Sequence, residues 1–96
     1  MLHTLNALPG SAAARDCLAV LAAGDTLLLL GDGVYAAMEG AVTCELIVQG
    51  PAEVHVLAED AAARGVCSRL APAITPLDMA GFVALSERYP RQMAWY

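Results

Sequence analysis

The chain has 96 residues, 58% of them hydrophobic and 16% charged, with ten acidic side chains against five arginines and a net charge of −5. That is one small domain, with a mean hydropathy of +0.56 that is high for a lone sphere of its size, so other chains are expected to cover part of its surface. The scattered Arg15, Arg64, Arg69, Arg88 and Arg91 argue against direct nucleic-acid binding, the apolar stretches are too short and interrupted to span a membrane, and no signal peptide is apparent.

Residues 1–6 read as a first short strand. Pro9-Gly10-Ser11 turns the chain, and Ser11 is placed to cap a helix over residues 12–23 that Gly24 closes. At about 100° per residue, Ala14, Leu18, Leu21 and Ala22 form its apolar stripe, and Cys17 falls on the flank as a semi-exposed residue. Residues 25–35 organise the rest: Leu27, Leu28, Leu29 and Leu30 stand between Asp25 and the Gly31-Asp32-Gly33 turn. An apolar run this short, bounded by turn residues, is a strand buried on both faces. Residues 34–39 then form a short helix capped by Gly40, and residues 41–50 are either a helix or an irregular crossover.

Glu53–Leu57 alternates and is β-branched, giving a third strand. A helix over residues 59–64 starts with two carboxylates where its dipole favours them, and Gly65 stops it. Residues 66–70 add a helical turn, and residues 74–77 a fourth strand. Asp78 caps a helix over residues 79–89 with the stripe Met79, Phe82, Leu85 and Tyr89; Pro90 ends it, and residues 92–96 make a last, edge-like strand. The alternation predicts an α/β fold: a small three-layer α/β/α domain with a mostly parallel sheet of about five strands.

Little in the sequence carries chemistry. Gly31-Asp32-Gly33 lacks a third glycine, a lysine and a Ser or Thr for a metal, and Asp32 repels phosphate, so a tight turn with Asp32 as helix cap is expected. A small-ligand module built on that turn is the rival reading. His3 and His55 sit on strands with no ligand-spaced neighbours and are expected to be structural. The odd count of three cysteines, in no metal spacing, fits free thiols in a reducing cytoplasm. Cys44 and Cys67 lie among Val and Ala as small packing residues. Cys17 is the one thiol with a claim to handle sulfur, although Asp16 beside it raises its pKa. No cofactor or metal site is expected.

Several stretches, in order along the whole chain, together resemble the TusB/DsrH family of sulfur-relay subunits. They are Met1-Leu2-His3-Thr4-Leu5-Asn6, the run from Leu28 through Gly31-Asp32-Gly33 to Ala37, Val56-Leu57-Ala58-Glu59-Asp60 with Ala63-Arg64-Gly65, Asp78 with Gly81-Phe82-Val83 and Leu85, and Pro90 with Gln92, Met93, Ala94 and Trp95. The resemblance implies a single domain over residues 1–96 with a DsrE/DsrF-like fold. In the Tus branch it implies a heterohexamer, a dimer of heterotrimers, with TusC-like and TusD-like subunits. That complex takes persulfide sulfur from a TusA-like carrier and passes it to a TusE-like one, towards 2-thiouridine at the tRNA wobble position. The principal sulfur-carrying cysteine there belongs to TusD. In the Dsr branch, which serves sulfur oxidation, DsrH has a cysteine in its first helix, where Cys17 falls, and Cys17 is then a persulfide carrier.

Overall fold

A computed structural model describes residues 1–96. Three of the four leucines, Leu27, Leu28 and Leu29, form the central strand with Thr26, while Leu30, half-buried, lies just beyond it at the start of the next helix. In chain order the elements are β1 (Leu2–Leu5), α1 (Ala12–Val20), β2 (Thr26–Leu29), a 3-10 helix (Gly31–Ala37), α2 (Val42–Gln49), β3 (Glu53–Leu57), α3 (Ala58–Ala63), a second 3-10 helix (Cys67–Arg69), β4 (Thr75–Leu77), α4 (Met79–Arg88) and β5 (Gln92–Trp95). All strand pairs are parallel, in the order β4-β3-β2-β1-β5. Parallel neighbours need crossovers, and the helices supply them.

Successive residues of a strand face opposite ways, and the leucines show it. Leu27 and Leu29 enter the larger core with Leu5, Val54, Val56, Ile47 and Ala61. Leu28 enters a smaller one with Leu2 and Leu85, closed by Phe82 and Tyr89. Helices α1 to α3 and the first 3-10 helix therefore cover one face. On the other lies α4, which carries the chain from β4 at one edge to β5 at the opposite edge. The three layers expected from the sequence are present.

Ser11 and Asp78 cap α1 and α4: Ala14 N–H donates to Ser11 Oγ at 3.2 Å and Gly81 N–H to Asp78 Oδ1 at 2.7 Å. Several local expectations are corrected. The first helix ends at Val20 rather than residue 23, because Asp25 Oδ2 captures Ala22 N–H at 3.0 Å and turns the chain; Gly24, with φ +90°, serves that turn and not a helix cap. The helix after β2 is 3-10 and begins directly at Gly31. The ambiguous residues 41–50 contain a helix, α2, despite the β-branched Val42, Thr43, Ile47 and Val48. Burial of Cys44 and Ile47, three residues apart on one face, outweighs that poor propensity. On α4, Leu85 is buried but Met79 is 45% exposed, so the apolar stripe is shorter than its spacing suggests.

Candidate functional site

At the carboxyl end of the sheet, where α/β folds bind ligands, the Gly31-Asp32-Gly33 turn is clamped by the protein itself. Gly31 N–H donates to Asp60 Oδ2 at 2.7 Å, Asp32 N–H to Asn6 Oδ1 at 3.1 Å, and Gly33 N–H to the Leu30 carbonyl at 2.9 Å. All three amides of the turn are thus occupied. At Gly33 a Cβ would strike the Leu5 carbonyl oxygen, a backbone atom, and Gly31 holds a left-handed φ of +53° that an L side chain rarely adopts, so the turn needs glycine at both positions. Asp32 does not cap the helix, contrary to expectation. Its carboxylate pairs with Arg64 at 3.2 Å, and Asp60 on α3 takes the capping role.

The thiols divide otherwise than the sequence suggests. Cys17 is fully buried, not semi-exposed. It lies one turn beyond Ala14, and two small side chains in that row let α1 sink close to the sheet. Burial pushes its thiol up to about 11. Cys44 is buried as expected, and burial, with Glu39 and Glu45 adding to it, raises its thiol also. Cys67, expected to pack, is exposed on the second 3-10 helix. No cluster of three or more His, Cys, Asp or Glu side chains is arranged to hold a metal.

The best-formed polar cluster lies at the opposite end of β1. His3 is buried and uses both ring nitrogens. Trp95 Nε1–H can only donate, and it lies 3.1 Å from His3 Nδ1. Nδ1 must therefore accept, which puts the proton on Nε2, 3.1 Å from Asp25 Oδ2. The Met1 ammonium donates to Asp25 Oδ1 at 3.1 Å. For Asp25, burial pushes the carboxyl up. Hydrogen bonds from the ammonium, Ala22 N–H and His3, with the ammonium's charge, outweigh it and leave the carboxyl below its ordinary range. With Nδ1 accepting and Nε2 donating, both ring nitrogens of His3 are engaged by the protein itself.

The cluster lines a cleft of about 540 Å³ walled by Val20, Met93 and Trp95, with the exposed Arg91 also on its lining. Sequence reasoning missed Asp25 and Trp95 here. The signal was available once β1 and β2 were taken as adjacent parallel strands: Leu2 pairs with Thr26, so Asp25 falls beside Met1 on the face of His3. His55 is only half accounted for. Its Nε2 lies 3.5 Å from Glu53 Oε2, and its Nδ1 is buried without a partner.

Comparison with known proteins agrees along nearly the whole chain. A family described as "DsrH like protein" matches residues 9–92. Protein TusB of Erwinia tasmaniensis is 42% identical over 95 residues, which is 99% of this chain and 100% of that one. Protein TusB of Escherichia coli O1:K1 is also 42% identical over the same shares. The solution NMR structure of protein Tm0979 from Thermotoga maritima has the same fold, with a TM-score of 0.68 at 20% identity over 95% of this chain and 97% of that one.

Proposed function

The chain belongs to the DsrH-like family, and we propose that it is a subunit of a Tus-type sulfur-relay complex that passes persulfide sulfur towards 2-thiouridine at the tRNA wobble position. The observation that carries this reading is the identity to TusB over the full length of both chains. On this reading the chain works in the cytoplasm, in a heterohexamer with TusC-like and TusD-like subunits. The complex receives sulfur from a TusA-like carrier and delivers it to a TusE-like one, without this subunit touching tRNA.

Two features support a subunit whose partner holds the reactive sulfur. Persulfide transfer needs an accessible thiolate, and the thiol on α1 is closed into the core and held protonated. The sheet's carboxyl end, the usual place for a small-molecule site, is occupied by Asp60 and Asn6. Deleting the gene tests the reading: wobble 2-thiouridine, measured by mass spectrometry of digested tRNA, should disappear and return with the wild-type chain. Unchanged 2-thiouridine would overturn it.

The position of Cys17 on the first helix favours a second reading, a DsrH-type subunit of a sulfur-oxidation relay with Cys17 as persulfide carrier. It requires α1 to lift from the sheet. Incubation with a persulfide donor then adds about 32 Da, one sulfur, to the peptide that carries Cys17, and peptide mapping finds no adduct at that position in Cys17→Ser, whatever the exposed Cys67 takes up. Absence of the adduct on the wild-type chain in its complex removes this reading.

A further inference from the structure

The two edges of the sheet are treated differently. At one edge, β4 reads Thr75-Pro76-Leu77, and Pro76 has no N–H to offer a neighbour. At the other, β5 reads Gln92-Met93-Ala94-Trp95, with no proline and no charge, and its first three residues are exposed. Proteins ordinarily blunt such an edge, because unpaired N–H and C=O groups invite another strand. The Arg91 and Trp95 carbonyls accept from Leu2 and Asn6 on the β1 side. By alternation, Gln92 and Ala94 point their N–H and C=O groups outward, away from the sheet.

Beside this edge, on the α1 face, opens the cleft walled by Val20, Met93 and Trp95. Met93 is 44% exposed there. Arg91, on the lining of the cleft, takes part in none of the chain's ion pairs. Asp25, the carboxylate in the cleft, is already engaged by Met1, Ala22 and His3. The cleft therefore offers an apolar wall, an aromatic ring and one uncommitted cation next to an open strand edge. That combination suits strand addition, in which main-chain hydrogen bonds give affinity and a pocket reads alternate side chains.

The geometry points to β5 as a docking edge: an extended segment of a partner subunit adds to Gln92–Trp95 as a sixth strand, with a large apolar side chain in the cleft and a carboxylate on Arg91. This rests on the subunit reading above and names the surface it uses.

The test coexpresses the full chain with its TusC-like and TusD-like companions and compares it with Ala94→Pro and Arg91→Glu. Ala94→Pro removes an outward N–H that the fold does not use; Arg91→Glu reverses the free cation. Both should keep the wild-type circular dichroism and lose about tenfold or more in partner affinity. The Gln92 and Ala94 amides should exchange hydrogen slowly in the complex and fast in the free chain. If Ala94→Pro does not fold, Arg91→Glu and the exchange rates decide. Wild-type assembly with either variant, or fast exchange at both amides in the complex, overturns the docking edge and leaves the subunit reading standing. A wild-type chain that binds no companion overturns both. Amide protection that grows with the concentration of the isolated chain would make the occupant a second copy and overturn the partner claim.

Discussion

An alkylating reagent added to the native chain meets one accessible thiol, Cys67, while Cys17 and Cys44 lie in the core. Mass spectrometry should therefore find Cys67 modified first, and the other two only after denaturant opens the structure; rapid native-state labelling of Cys17 would contradict its burial. The same burial has a pH signature. The folded thiol of Cys17 is raised to about 11, above its unfolded value of about 8.5, so its contribution to stability is full below the unfolded value and is lost as pH rises towards 11. Asp25 has the opposite sign. Its folded carboxyl is depressed, so its contribution is present above the unfolded value of about 3.9 and is lost as pH falls through the lower folded value. Asp25→Asn removes the charge that faces Met1 and His3. It should cost about 2 kcal/mol at neutral pH and flatten the acid limb of a denaturation series. An unchanged acid limb would mean that the cluster does not hold β1 to the turn before β2.

At the scale of elements, β2 is the most exacting part of the chain, since Leu27, Leu28 and Leu29 are all fully buried, on two faces. Leu29→Asp puts an unpaired charge in mid-sheet and should abolish folding, read as loss of soluble protein and of the circular dichroism signal. Leu28→Ala leaves a cavity under α4 and should cost about 2–5 kcal/mol; a soluble, cooperative Leu29→Asp would mean that the strand is misassigned. These elements were legible because their signals are local: a leucine run between turns, Ser11 and Asp78 before helices, the alternation of Glu53–Leu57. The family resemblance, spread along the whole chain, was legible for the same reason. Features set by two elements meeting were not. The depth of Cys17 depends on how far small side chains let α1 approach the sheet. The helicity of α2 depends on what Cys44 and Ile47 pack against. The replacement of Asp32 by Asp60 as cap depends on α3 reaching the turn, and the pairing of His3 with Asp25 joins residues 22 apart. Gly33→Ala probes such a junction, because its Cβ would strike the Leu5 carbonyl oxygen. It should lower the melting temperature even though alanine is the better helix former, and an unchanged melting temperature would show that the turn can retreat from β1.

Across the whole molecule, two ridges on the helical layers add to the apolar surface beside β5. On α2, Val42 and Leu46 are 74% and 59% exposed and stand one turn apart; on α4, across the sheet, Met79 and Val83 are 45% and 50% exposed and stand one turn apart. Each pair is a short apolar ridge on the outer side of its layer. A domain of this size buries only a modest share of its surface and is marginally stable alone, and ridges left in water contribute nothing to its stability. On the proposed subunit reading, ridges on both outer layers call for neighbours on more than one side. Binding to the native state alone raises stability by mass action, by about 4 kcal/mol at a thousand times the dissociation constant. In a domain of this length that is a rise in melting temperature of about 15 °C or more. The chain in its complex should therefore melt well above the isolated chain, and the melting temperature should climb with added partner. Leu46→Lys and Val83→Lys test the ridges, since each leaves the isolated chain as stable as before, and at least one should reduce the gain on assembly. Equal melting temperatures for the isolated chain and the mixture would remove the physical reason for treating the apolar surface as an interface.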